Sequence, residues 1–172
     1  MIYQIKEWDD PILRVVAEPV KTVDYSIREI VYSMMETMFA IGAAGLAANQ
    51  CGIAKRIMLV ARNTNYAYIP NNAILPPIVA INPIITNRSN ELYRGGEGCY
   101  SLPGVYGVVT RPAEITLHAQ DYTDKSYSLD LNPWESIAAQ HELDHLDGIF
   151  FTDYAETVWE DSSALTITYK DK

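Results

Sequence analysis

Residues 132–148 read Asn132-Pro133-Trp134-Glu135-Ser136-Ile137-Ala138-Ala139-Gln140-His141-Glu142-Leu143-Asp144-His145-Leu146-Asp147-Gly148, and this stretch organises the rest of the chain. Asn132 is a strong helix cap, Pro133 suits a first helical position, Glu135 lies three residues beyond the cap, and Gly148 marks a stop. The helix so predicted carries His141-Glu142-Leu143-Asp144-His145, an H-E-x-x-H pattern. Residues four apart share a helical face, so both imidazoles can converge on one metal ion while Glu142 reaches a water beside it. The plain alternative is a capped, solvated helix end that happens to hold histidines and acids. Counting back from His141, Ala138, Ile137 and Trp134 continue that face as an apolar stripe, which suits either core or a pocket wall.

Upstream, Ser26 and Glu29 have capping-box spacing, and Ile27, Ile30, Val31, Met34, Met35 and Met38 recur at three- and four-residue steps. A first helix is expected there, ending at the glycines Gly42 and Gly45. Strand-forming runs follow at 56–61, 78–86, 104–110, 114–120 and 126–131. In 114–120, Ile115, Leu117 and Ala119 face one way and Thr116, His118 and Gln120 the other, so His118 points toward solvent. Residues 63–77 read as a long surface excursion, and Leu165-Thr166-Ile167-Thr168-Tyr169 alternates like a short strand. The expected class is α+β, with mostly antiparallel β-sheets packed around the helix of 132–148, and residues 1–172 forming one domain.

The chain has 172 residues, 13 Lys or Arg against 22 Asp or Glu, a net charge of −9, and 48% hydrophobic residues. That suits a domain with a real core, and it argues against DNA or anionic membrane as partners, since both need a basic patch. Lys6, Glu7, Asp9 and Asp10 stand where a secretory signal needs an apolar run, so a cytoplasmic location is expected. The uncharged stretch 37–54 holds three glycines, Asn49 and Gln50, and is too polar for a membrane span. In a reducing compartment the two cysteines, Cys51 and Cys99, are free thiols or metal ligands.

A catalytic metal site needs a third protein ligand. The longer pattern H-E-x-x-H-x-x-G-x-x-H matches through Gly148 but ends on Phe151. Acidic ligands at Asp153, Glu156 or Glu160 stay open, whereas His118 points away by strand parity. Cys51 suits a small buried hydrophobe. Cys99 lies in Gly95-Gly96-Glu97-Gly98-Cys99-Tyr100-Ser101, where glycines allow close backbone approach and a thiolate can bind metal directly.

Together these segments resemble the peptide deformylase family. Its G-x-G-x-A-A-x-Q is similar to Ala43-Ala44-Gly45-Leu46-Ala47-Ala48-Asn49-Gln50, its E-G-C-x-S to Glu97-Gly98-Cys99-Tyr100-Ser101, and its H-E-x-D-H to His141 through His145. Asp10-Pro11-Ile12-Leu13-Arg14 and Ile81-Asn82-Pro83 add weaker similarity. The resemblance implies an enzyme that removes the formyl group from the N-terminal methionine of new polypeptides. It implies one divalent metal ion, Fe(II) with Zn, Ni or Co as substitutes, held by Cys99, His141 and His145, with Glu142 as acid and base. The Gln50 amide and the Tyr100 backbone N–H would stabilise the oxyanion. A methionine pocket would be lined by Ala44, Trp134, Ile137 and Ala138, with the substrate backbone running beside Gly45 and the Glu97-Gly98 segment. The implied partner is a formyl-methionyl peptide or nascent chain; for a ribosome contact, net charge provides no basis. Ala43 stands in place of the family's usual glycine and Tyr100 in place of its usual leucine. Two other readings stay open: a metallopeptidase with an acidic third ligand, and a noncatalytic metal module closed by a fourth ligand.

Overall fold

The computed structural model describes residues 1–62 and 75–161, so most of the 63–77 excursion and the strand expected at 165–169 lie outside the described residues. Helix α1 spans Tyr25–Ile41. Its cap is Asp24 rather than Ser26: the Asp24 carboxylate accepts from the Ile27 N–H at 3.1 Å, and the Ser26 hydroxyl donates to the same oxygen at 2.7 Å. A carboxylate two residues earlier thus outcompetes the hydroxyl for the free N–H groups of the first turn. Ile27, Val31, Met34 and Met38 are buried, and Gly42 ends the helix in the left-handed region at φ 70°.

Strands β1 (Gly45–Ala47), β2 (Ile57–Val60), β3 (Ile78–Arg88), β6 (Ile115–Gln120) and β7 (Ser126–Asp130) form one antiparallel sheet in the order β1-β2-β3-β6-β7. All four residues of β2 are buried, because Ile57 and Leu59 face the α1 core while Met58 and Val60 face a second core shared with Leu117, Ala139 and Leu146. A strand covered on both faces reads as an unbroken apolar run. In β6 the expected alternation holds, with Ile115, Leu117 and Ala119 buried and His118 on the other face. A second sheet has the order β4-β5-β8, from β4 (Leu92–Cys99), β5 (Leu102–Pro112) and β8 (Thr157–Glu160). Sequence reading missed β1, β4 and β8: the first two are short or glycine-rich, and β8 has no buried residue to produce an alternation.

Helix α2 (Pro133–Leu146) packs against β1, β2 and β5. Its cap is as expected, with Asn132 Oδ1 accepting from the Glu135 N–H at 3.0 Å. Its inner face is unexpectedly polar. Buried Ser136 donates to the Leu131 carbonyl and accepts from the Ile115 N–H, and Gln140 donates to the carbonyls of Pro112 and Ser136. Ser136 and Gln140 are thereby paired, which offsets the cost of their desolvation. Trp134, by contrast, is 39% exposed, while half-buried Ala138 packs against the second core, so the Trp134–Ile137–Ala138 stripe lies at the core's edge. No helix among the described residues is long and apolar enough to cross a membrane.

Candidate metal centre

Cys99, the last residue of β4, meets His141 and His145 of α2, and their ligand atoms all lie within 4.8 Å of one another. Cys99 Sγ is 3.1 Å from His145 Nε2. His141 Nδ1 pairs with Glu97 Oε2 at 2.8 Å, which leaves its Nε2 for the cluster. Phe151 stacks on the His141 ring and Phe150 meets the His145 ring edge-on, so both imidazoles are held by packing. Burial alone would push the Cys99 thiol up, yet His145 and His141 outweigh it and hold the thiol well below its ordinary range. A thiolate and two imidazoles are a soft, three-donor set of the kind that binds one transition metal and leaves a fourth position open. The donors fit the metal.

The acidic alternatives for a third ligand do not converge. Asp153 is paired with Arg14 at 2.5 and 3.0 Å, Glu156 accepts from Arg94 and Thr110, and Glu160 is exposed on β8. Cys51 is buried in the α1 core, where burial pushes its thiol up to about 12.

Glu142 points to the same place. It is 5% exposed, its Oε2 has no hydrogen-bond partner, and burial pushes its carboxyl up to about 7 against the pull of the two imidazoles. In the metal-free site this carboxyl therefore keeps its proton up to about neutral pH. Gly45 makes room for it: a Cβ there would lie 2.5 Å from Glu142 Oε1 and 2.6 Å from its Cγ. Gly45→Ala is therefore expected to displace the carboxylate and slow turnover by about 10²-fold, the scale of a 1 Å misplacement. Metal content should be unchanged; parental activity in the alanine chain would show that the carboxylate tolerates the shift.

Sequence reading missed Arg111. On β5, Gly107, Val109 and Arg111 share the buried face, and that parity marks a buried charge in need of partners. Arg111 Nε and Nη2 donate to the two oxygens of Glu97 at 2.5 and 2.9 Å, and Nη1 donates to Asp144 at 2.8 Å. Tyr154 donates to that same Asp144 oxygen. The result is a closed ring from His141 through Glu97, Arg111 and Asp144 back to α2. Burial would raise the Glu97 carboxyl, but Arg111 and His141 bring it down to about 2. Arg111→Met should cost about 3–5 kcal/mol in urea unfolding of the metal-free chain, because it strands a buried carboxylate. A loss under about 1 kcal/mol would mean that water replaces the guanidinium.

Above the cluster lies a cavity of about 470 Å³ lined by Ala44, Gly45, Gln50, Glu97, Gly98, Tyr100, Trp134, Ile137 and Ala138, with Ala43, Tyr93, Gly96 and Pro133 in addition to the expected set. Both Glu97 carboxylate oxygens are engaged, so it offers a ligand only its backbone. The cavity runs between β1 and β4, each an edge strand of its own sheet. Gln50 Oε1 accepts from the Ala47 N–H at 2.9 Å, which turns its Nε2 toward Ser101 Oγ at 3.2 Å and Cys99 Sγ at 3.5 Å. It therefore both ties its own loop and presents an N–H to the cluster.

The family pattern described as polypeptide deformylase matches residues 2–160. A peptide deformylase of Chlorobaculum tepidum is 40% identical over 154 residues, covering 89% of this chain and 79% of that protein. The crystal structure of a peptide deformylase from Ehrlichia chaffeensis superposes with a TM-score of 0.81 at 34% identity, covering 90% of this chain and 88% of that one. The Met-Ala-Ser-bound structure of a peptide deformylase from Acinetobacter baumannii superposes with a TM-score of 0.78 at 28% identity, covering 89% and 98%.

Proposed function

Because this chain belongs to the polypeptide deformylase family and is thus an enzyme that removes the formyl group from the N terminus of new polypeptides, we propose that Cys99, His141 and His145 hold its single metal ion and that Glu142 moves the proton. The observation that carries this reading is the convergence of those three ligand atoms beside the unpartnered Glu142 Oε2, at the floor of a cavity between two edge strands. A divalent metal bound there supplies Lewis acidity and a water acidified toward neutral pH.

Glu142 accepts the proton of the water that attacks the formyl carbon. The Gln50 Nε2–H and the Tyr100 backbone N–H donate to the oxygen as it gains charge, an interaction that strengthens only as the barrier is climbed. Glu142 then passes the proton to the departing amine, so the C–N bond breaks to release formate and a free methionine terminus. Trp134, Ile137, Ala138 and Ala44 make an apolar wall suited to an adaptable thioether side chain. The binding of Met-Ala-Ser by the Acinetobacter baumannii relative supports a peptide lying in this cavity. Iron(II) is the proposed resident metal, with zinc, nickel or cobalt as substitutes; this donor set binds zinc more tightly than ferrous iron, so supply in the cell decides. The proposed substrate is a formyl-methionyl nascent chain, and the proposed setting is the cytoplasm.

The test is formate release from formyl-Met-Ala-Ser by the chain loaded in turn with iron(II), cobalt, nickel and zinc. Formate and Met-Ala-Ser in equal amounts are expected. Cleavage of an internal amide bond, or no formate with any of the four metals, would overturn the reading.

A further inference from the structure

Tyr100 has a second attachment, through its side chain. Its Oη donates to the carbonyl of Ile41 at 2.7 Å. Ile41 is the last residue of α1, and the final carbonyls of a helix have no partner within it. The N–H groups of Gly42 and Ala43 both return to the Met38 carbonyl, so the Ile41 carbonyl is taken up by the phenol instead. The ring lies half-buried against the α1 core.

The two ends of this bond belong to opposite walls of the cavity. Tyr100 stands in the turn that joins β4 to β5, next to Cys99. Ile41 stands two residues before Ala43, where the chain enters the wall formed by Ala43, Ala44 and Gly45. On the inner side the same turn is held by Gln50, whose amide donates to Ser101. The turn is thus pinned from two directions, and the outer pin reaches across to the opposite wall.

We infer that the Tyr100 phenol is a strut that sets the gap between the edge strands β1 and β4, and thereby the affinity for peptides long enough to touch both. The inference rests on the reading that an extended formyl-peptide lies between those edges. Such a strand needs roughly two inter-strand spacings, about 9.5 Å in all, and hydrogen bonds to both sides weaken once N···O distances pass about 3.2 Å. A gap fixed by a rigid two-torsion side chain keeps both rows within reach; a gap left to a flexible turn does not. A ligand of one residue rests on the pocket and one edge, and so does not depend on the strut.

The experiment compares Tyr100→Phe with the parent, both loaded with nickel, by calorimetric titration with Met-Ala-Ser and with methionine amide. The expected result is that Kd for Met-Ala-Ser rises about fivefold, the scale of one lost hydrogen bond, while Kd for methionine amide changes less than about twofold. Tyr100→Leu, which removes the ring as well, should show the same selective loss or a larger one. Equal losses on both ligands, or no loss on either alongside a lowered melting temperature, would make the bond a merely structural tie and overturn the inference. Formate release by the parent keeps the two questions apart: if the parent deformylates but the ligand-length selectivity does not move, the strut alone fails.

Discussion

A Glu142→Gln chain is expected to retain its metal and to lose between about 10² and 10⁴ in turnover, the range for removing a general acid–base group. Glutamine keeps the length and shape of the side chain and can still hydrogen-bond a water, but it cannot accept the water's proton. The change also isolates chemistry from folding. Burial raises the Glu142 carboxyl from its ordinary value to about 7, so in the metal-free chain its ionised form is less stable folded than unfolded. Stability from this group is therefore full below the ordinary carboxylate range and falls as pH rises toward 7. The metal-free glutamine variant, which has no charge to bury, should be at least as stable as the parent at pH 8. Formate release, metal content and thermal unfolding at pH 8 together check the prediction. Activity within tenfold of the parent would remove Glu142 from the proton path.

Cys99→Ala should lose metal outright, by well over the roughly 10–100-fold that the loss of an outer hydrogen bond to a ligand costs. Cys99 supplies the only sulfur among the three clustered donors. The other thiol cannot replace it, since Cys51 is 7% exposed and its thiol is pushed up to about 12. A cobalt-substituted parent should show a sulfur-to-cobalt charge-transfer band that the alanine chain lacks. The same contrast predicts that iodoacetamide labels the folded, metal-free parent at Cys99 and reaches Cys51 only after unfolding, because the thiolate is the nucleophile. Full cobalt loading of Cys99→Ala with an unaltered spectrum would refute the ligand assignment.

Much of this protein is local, and local features are legible in one dimension. The cap at Asn132, the four-residue spacing of His141 and His145, the alternation of β6 and the apolar steps of α1 each depend on neighbours within a few residues, and each is found in the structure. The resemblance of three short motifs was enough to nominate Cys99 over Asp153, Glu156 and Glu160. Tertiary structure decided what depends on distant partners. A glycine-rich segment such as β4 has no side-chain pattern, so only its pairing with β5 makes it a strand and brings Cys99 to α2. The apolar stripe of Trp134, Ile137 and Ala138 lines a cavity at the core's edge, because the helix buries its polar face, where Ser136 and Gln140 find carbonyls from other elements. The Arg111 ring and the Tyr100 tie to Ile41 join residues 14 to 59 positions apart. Hydrogen bonds of that kind leave no periodic trace in a sequence, since they are set by how the sheets close around the helix.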